Sequence, residues 1–542
     1  MGLLSIKERG RKKRYIIPLI VYAGLTVLAI SGRLEPLFDT LALLSLPLIV
    51  SVLVYNRFFV SDTQERQKIQ TVLYVNYLAV IGTVTGIISI IITTITAFYS
   101  LPPSPISILG IPNYAHGLYA LFSSSCPILI FLVIFCVPVK LVLNELGARI
   151  PGMVNAVSSF LPKIKVKTKT GTILIFVFML LSMVVAIIPH IPVINKTNQY
   201  VGTDTHFYVG WQNNLTQSKN FQQFAQEAFV KIRAGDRPVS LLFIFALVKT
   251  LHLEPSLLVD NLSILLAPAL VLVVYFLTRE LTSNEIASLL SAFLTAISSQ
   301  TLIGIYAGFY ANWFALIIGY LSFVFLFRFL KAGGKANFAV YSTLMILLLF
   351  SHANTWTIFA IVSAVFLMVL FKLNYYSRKR ITLLLLVVLS SVVIDVGRTG
   401  IVKHGGGIGE DIGVSVTYGT GLEQFAQRWS NLVYATQVYL AGQFSNPIIL
   451  ILGLYWLFRS KLLDESSIFL VVFLSLGVLP LFIGGVVLQA RVFYEIPFQI
   501  PAAIALTYIM KQANGSLLLL PIGIWLVATS IGSVSNFYFV SP

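Results

Sequence analysis

Charge and cysteine are what this chain has least of. Only 11% of its 542 residues are charged, against roughly a quarter in soluble domains. That deficit excludes a cytosolic globular enzyme and a disordered chain. The two cysteines, Cys126 and Cys136, are too few for a disulfide-stapled secreted module. They lie in one apolar segment and point to packed thiols with no zinc site. Alternation of polar and apolar residues is missing from the hydrophobic runs, which excludes a transmembrane β-barrel. What the chain has is hydrophobic length: 57% of residues are hydrophobic. Runs near or above the ~18–20 residues that cross a bilayer recur from Tyr15 onward. The pattern predicts an all-α polytopic membrane protein.

Acidic residues are also few, 20 against 37 Lys and Arg, for a net charge of +17. In a soluble protein that excess would suggest nucleic acid. Here the basic residues fall in short loops between apolar runs, as the positive-inside rule requires, so no nucleic-acid partner is expected. Lys7, Arg9, Arg11, Lys12, Lys13 and Arg14 precede the first run and predict a cytoplasmic N-terminus with a retained anchor, not a cleaved signal peptide. Four runs, Tyr15–Ser31, Thr40–Tyr55, Thr71–Tyr99 and Leu118–Leu143, form an N-terminal extension over 1–170 with no assigned role. Thr172–Ile188 then leads to an outer loop.

Beyond Arg237 the apolar runs are Pro238–Leu253, Ser256–Leu277, Ile286–Ile305, Phe309–Leu330, Phe338–Ser351, Thr355–Leu373 and Ile381–Val396. Pro447–Phe458, Ile468–Leu488, Pro501–Met510 and Ser516–Ile531 complete a set of about fourteen or fifteen spans. Four full crossings between Arg237 and Lys331 would leave Lys331 outside, so one of those runs must be broken or fail to cross. Ile286–Ile305, with Thr295, Ser298, Ser299 and Gln300, is the expected exception.

Two long outer loops, 189–237 and 397–445, interrupt the spans; connections of this length tend to be functional. In the first, Phe221, Phe224, Ala228, Phe229 and Ile232 recur at helical spacing and predict a short amphipathic helix on the membrane surface. The second opens on the glycine-rich Lys403–Asp411 and becomes helix-like from Leu422 to Leu440.

Asp204, in Gly202-Thr-Asp204-Thr-His206-Phe-Tyr208, is one of few acids in the first loop and is placed to act as a general base. His206 is a candidate to orient it, to meet phosphate as a cation or to share a metal, although a lone Asp-x-His is a weak metal signal. Arg237 and Arg491 stand at span edges, where a guanidinium either snorkels or holds a phosphate through paired N–H donors. Glu495, one turn after Arg491, is an alternative partner for it. His352, at the tip of an outer hairpin, and Asn312, between two runs, complete the polar set. No P-loop, zinc spacing or serine-hydrolase elbow is present.

The order of these motifs resembles the GT-C superfamily of membrane glycosyltransferases, which includes protein O-mannosyltransferases and aminoarabinose transferases. The resemblance rests on the Asp204 loop, Asp236-Arg237-Pro238, Tyr275-Phe-Leu-Thr-Arg279, Tyr306-Ala-Gly-Phe-Tyr310-Ala-Asn312 and Arg491-Val-Phe-Tyr-Glu-Ile-Pro497. It implies a GT-C-like catalytic module over 171–542. It further implies a polyprenyl-phosphate-linked sugar as donor, a lipid, glycan or protein acceptor outside the cell membrane, and inversion at the sugar carbon. Asp204 would be the base, and Arg237 and Arg491 would meet the donor phosphate. His206, Tyr208, Asn312 and His352 would also contact substrate. Asn312 replaces an acidic residue of some relatives, which argues against a metal, and no cofactor is expected. The absence of a Trp-Trp-Asp-Tyr-Gly motif and of a soluble C-terminal domain argues against an oligosaccharyltransferase.

Two other readings compete. A transporter or flippase would use Asp260 and Asp395 within spans and show inverted repeats, of which none is visible. A non-catalytic membrane scaffold would account for the four extra N-terminal spans.

Overall fold

The computed structural model describes residues 133–149, 168–192, 194–195, 197–402, 422–439, 446–460, 464–481 and 486–510, with scattered positions from 519 to 534. The first three expected spans, the glycine-rich Lys403–Asp411 stretch and half of Ser516–Ile531 lie outside the described residues.

Among the described residues helix is the regular structure and no strand occurs. In chain order the helices are α1 (Cys136–Arg149), α2 (Thr168–Ile187), α3 (Thr205–Thr216), α4 (Phe221–Gln226), α5 (Pro238–Leu251) and α6 (Pro255–Asp260). Then follow α7 (Leu262–Thr282), α8 (Glu285–Ala296), α9 (Ser299–Ala307), α10 (Tyr310–Ala332), α11 (Lys335–Ser351), α12 (Ala353–Lys372) and α13 (Arg378–Val402). The last are α14 (Leu422–Tyr439), α15 (Pro447–Arg459), α16 (Glu465–Ser475), α17 (Val486–Glu495) and α18 (Gln499–Met510). Among the described residues six stretches are long and apolar enough to cross a membrane, or seven if α17 and α18, bent by 44°, count as one span. The chain is a polytopic all-α membrane protein.

Lipid removes much of the hydrophobic drive between helices, so close packing must hold the bundle. The centre is a cluster of edge-to-face rings: Phe323 and Phe327 of α10, Phe359 and Phe366 of α12, and Phe469 and Phe473 of α16. Their centroids lie 4.9 to 5.7 Å apart, within the favourable range for aromatic pairs. Gly319 makes room for it, since a Cβ there would sit 2.4 Å from the Phe359 ring.

Long-range contacts sort the helix termini into two ends. At one end Arg328 pairs with Glu280, Arg380 donates to the Leu330 carbonyl, and Tyr376 donates to Glu465. At the other, the Asp204 amide donates to Ala307, Val201 to Asp260, and Ala353 to the Asp236 carbonyl. This sorting corrects the expected topology. Ile286–Ile305 is broken between α8 and α9, yet it crosses: Glu285 meets Tyr275 at the first end and Ala307 meets Asp204 at the second. The run that does not cross is Pro238–Leu253. Its helix α5 has 14 residues and rises about 21 Å, short of the ~30 Å hydrocarbon core. His252 then turns left-handed at φ 52° and Pro255 opens α6. That helix runs on into α7 as one membrane-length stretch, Pro255–Thr282, whose Asp260 lies at the Asp204 end, paired with His190 and with the Val201 amide. Lys331 thereby falls opposite Asp204 without contradiction.

The expected surface helix is present as α4 continued by a wide turn over Glu227–Lys231. Ala228 and Ile232 are buried while Phe221 is exposed. The described part of the second loop carries α14, which packs against α17.

The return of α5 is testable with a membrane-impermeant thiol reagent on a Cys126→Ala/Cys136→Ala background. Glu254→Cys should label from the same side as Asn214→Cys, and Ala336→Cys from the other. Labelling of positions 254 and 336 from one side would overturn this topology.

Candidate active site

The site is built at the end of the bundle where several chain breaks meet. Its first element is the turn Val201–Asp204, which docks on the C-terminus of α9. The last carbonyls of a helix lack intrahelical partners. Here Tyr306 and Ala307 receive the amides of Thr203 and Asp204 at 3.0 and 2.9 Å. Two glycines permit the approach: a Cβ on Gly202 would lie 2.6 Å from the Gly308 Cα, and Gly308 is left-handed at φ +66°. Thr205 and Tyr310 join hydroxyls at 2.8 Å and close the seam.

Asp204 is the N-cap residue of α3, but its side chain makes no capping bond. The carboxylate is therefore left to face the site. Burial pushes its pKa above the ordinary 3.8, while the charges of Arg491, Arg237, His206 and Arg233, in that order, pull it back down. The structure thus brings together the three groups singled out from distant parts of the sequence: Asp204, Arg237 and Arg491.

Their situations differ. Arg237 is 3% exposed and forks onto Asp236 with two bonds of 2.7 Å. It donates a third to the Tyr208 hydroxyl at 3.1 Å and lies over the Trp211 ring. The Tyr208 hydroxyl also accepts the Ala311 amide at 3.1 Å, so it ties Arg237 to the start of α10. Arg491 lies over Phe309, 5.4 Å from the ring centroid, and its Nε has no hydrogen-bond partner among the described residues. The charges acting on it include Arg237, Asp204 and Asp236.

The other expected residues divide. His352 is buried, at 1% exposure, and caps α12 by accepting the Thr355 amide on Nδ1 at 3.2 Å. Accepting there leaves the proton of the neutral ring on Nε2, which has no partner among the described residues. Burial, then the charges of Arg237, Arg491 and Arg233, hold the His352 pKa well below 6.5. It is an uncharged N–H donor beside three guanidinium groups. Asn312 is buried and donates to Thr355 at 3.2 Å, one step behind His352, whose ring it supports. His206 is exposed and turned toward the Thr203 carbonyl at 3.0 Å and the Phe207 ring. It does not orient the carboxylate through a hydrogen bond.

Sequence reading missed Arg233 and Arg398. Arg233 and Ala234 are both left-handed, at φ 47° and 50°, followed by Gly235 at φ 67°. A Cβ on Gly235 would meet the Phe229 carbonyl at 2.1 Å. Arg398, in a buried pair with Asp395 at 2.7 Å, donates to the Gly235 carbonyl and clamps this strained turn. The i, i+3 spacing of Asp395 and Arg398 was the available signal. Among the described residues no three His, Cys, Asp or Glu side chains gather as a metal site.

No protein-family model matches the chain, and no curated protein matches it in sequence. Its structure is similar to that of the oligosaccharyltransferase of Archaeoglobus fulgidus, a member of the GT-C superfamily. The apo form aligns at a TM-score of 0.48 and 13% identity, covering 68% of this chain and 56% of that one. The form tethered to an acceptor peptide aligns at 0.48 and 14%, covering 68% and 55%. The complex with an inhibitory peptide and a dolichol-phosphate aligns at 0.44 and 14%, covering 66% and 56%. The chain spans just over half the length of these proteins.

Tyr208→Phe should lower stability by about 2 kcal/mol, because it removes a buried bond to a charged group and orphans the Ala311 amide. Thermal unfolding in detergent checks this; an unchanged midpoint would show that Tyr208 does not brace Arg237.

Proposed function

We propose that the chain is a membrane glycosyltransferase that moves a sugar from a polyprenyl-phosphate donor to an acceptor at the extracytoplasmic face. The observation that carries this reading is the convergence of the Asp204 carboxylate with Arg491 and Arg237 at the end of a membrane bundle. A polyprenyl tail must lie in the hydrocarbon, so its phosphate must sit at such an end. Arg279, Arg328, Lys331, Lys335 and Arg378–Arg380 cluster around the opposite end, which the positive-inside rule assigns to the cytoplasm.

In the proposed reaction the acceptor's O–H or N–H proton passes to Asp204 as the acceptor atom attacks the sugar carbon. The bond from that carbon to the phosphate oxygen breaks on the opposite face, giving inversion. The bonding pair stays on the phosphate, whose growing negative charge is met by cations already in place. Arg491 is the primary phosphate ligand, with its Nε uncommitted. Arg237 adds charge through the N–H groups that Asp236 and Tyr208 leave unused. His352 donates Nε2–H to a donor oxygen, and Tyr208 and Asn312 hold these groups in position. His206, exposed beside Asp204, meets the incoming acceptor.

The residues that would serve a transporter are otherwise engaged. Asp260 is held by His190 and the Val201 amide, and Asp395 by Arg398.

Asp204→Asn should abolish sugar transfer from a polyprenyl-phosphate donor while the protein remains folded. A base must be ionised to act, so activity should fall as pH drops through the Asp204 pKa. That limb should lie above the ordinary carboxylate value, because burial raises it. Arg491→Ala removes the strongest opposing charge, so the limb should move to higher pH as donor affinity falls. Turnover by Asp204→Asn, or an acid limb that ignores Arg491→Ala, would sink the mechanism.

A further inference from the structure

Two spans are broken, and the breaks meet. One lies at Ile297-Ser298 between α8 and α9, the other at Ile496-Pro497 between α17 and α18. Within a bilayer every backbone group exposed by such a break must find a partner inside the protein. At the first break Ser298 accepts the Thr301 amide, and the Thr301 hydroxyl caps the Thr295 carbonyl at 2.6 Å. At the second, Pro497 has no amide, and the carbonyls of Tyr494 and Glu495 need donors.

Gln300, buried in the first turn of α9, supplies one donor directly and one through a neighbour. Its Nε2 donates to the Tyr494 carbonyl at 2.9 Å and to the Tyr320 hydroxyl at 2.6 Å; Tyr320 in turn donates to the Glu495 carbonyl at 2.9 Å. Its Oε1 accepts from Gln499 of α18 at 2.7 Å, and its own carbonyl accepts the Tyr494 hydroxyl at 2.9 Å. One side chain thus ties α9, α10, α17 and α18 together with every polar atom used. Gly304, one turn on, keeps the space open for Tyr494, whose hydroxyl would lie 2.9 Å from a Cβ there.

The half-helices joined in this way carry the two halves of the site. α9 ends in the Tyr306 and Ala307 carbonyls on which the Asp204 turn is seated. α17 carries Arg491 one turn before Glu495. We propose that Gln300 is a positioning residue that sets the register between Asp204 and Arg491 by welding the two broken spans. It touches neither substrate nor reacting atoms in this scheme. Only its effect on turnover rests on the glycosyltransferase reading; the mechanical coupling does not.

Hydrogen exchange on the full chain in lipid nanodiscs separates the two. Gln300→Leu should speed exchange at least tenfold at the Thr203 and Asp204 amides and across 486–495, while α7 and the body of α10 stay protected. Ser288→Ala, whose hydroxyl only returns to its own helix at the Asn284 carbonyl, should loosen neither segment. Gln499→Met, which removes one tie, is the milder variant should Gln300→Leu fail to fold, and it should loosen 486–495 in part. Unchanged exchange in both segments, or a uniform rise throughout the bundle, would overturn the proposal. In a transfer assay Gln300→Leu should lower kcat about 10- to 100-fold, the scale of small misplacements of reacting groups. Combined with Arg491→Ala it should be no worse than Arg491→Ala alone; additive losses count against it. A wild-type protein that transfers no sugar removes the functional reading, and the exchange result still decides the role of Gln300.

Discussion

A carboxylate withdrawn from water is costly unless charge or hydrogen bonds offset the lost hydration. Asp204 meets that constraint with positive charge from three places: Arg237 and Arg233 of its own loop, and Arg491 of a far later helix. Much of the surrounding structure serves to keep these like charges near one another. Arg237 is neutralised by Asp236 and braced by Tyr208. Arg233 is held at the edge of a left-handed turn that Arg398 clamps from α13. His352 stays neutral, so it adds a donor without adding to the repulsion. The bonds from Tyr208 and Arg398 tie α3 and α13 to this loop.

The second constraint is that the site needs helix ends inside a membrane protein, where ends are expensive. The break at Ile297-Ser298 begins α9, whose far end seats the Asp204 turn, and the break at Ile496-Pro497 ends α17, the helix that carries Arg491. Ser298, Thr301, Tyr320 and Gln300 satisfy the groups those breaks release. The polar residues of this run are accordingly structural devices of a crossing helix, though by composition they read as signs of a segment that does not cross.

That reversal shows where sequence reasoning reached and where it stopped. The polytopic helical class and the amphipathic turn at Phe221–Ile232 were legible, and Asp204, Arg237 and Arg491 stood out as scarce charges, because apolar length and scarce charge are local properties. Which run fails to cross was not legible. Pro238–Leu253 and Ile286–Ile305 are both apolar, and only long-range bonds distinguish them: Asp260 to Val201, and Ala307 to Asp204. The cue was present in Glu254-Pro255, which breaks the first run early and leaves Asp260 to find partners at the original end. The helix Thr205–Thr216 was hidden for a similar reason, since Gln212 and Leu215 are buried against neighbours that no periodicity reveals. Asn312 stood out as an amide among apolar residues, but its bond is to Thr355, and through it the residue acts on His352.

Arg237 and Arg491 also divide their work along physical lines. A guanidinium already forked onto a carboxylate is fixed in place, and its net attraction for a further anion is reduced by the partner it holds. A guanidinium resting on an aromatic face keeps its charge available while the ring contact limits its motion. Arg237 is the first kind and Arg491 the second. A phosphate bound here would therefore gain most from Arg491, whereas Arg237 fixes its own loop against α3 and, through Tyr208, the start of α10. Because Arg491 is also the cation that most strongly favours ionised Asp204, an anion bound to it would screen that effect and raise the basicity of the carboxylate. In the proposed reaction donor binding would thus prepare the base: the group proposed to hold the leaving phosphate would also govern when Asp204 is ready to accept a proton.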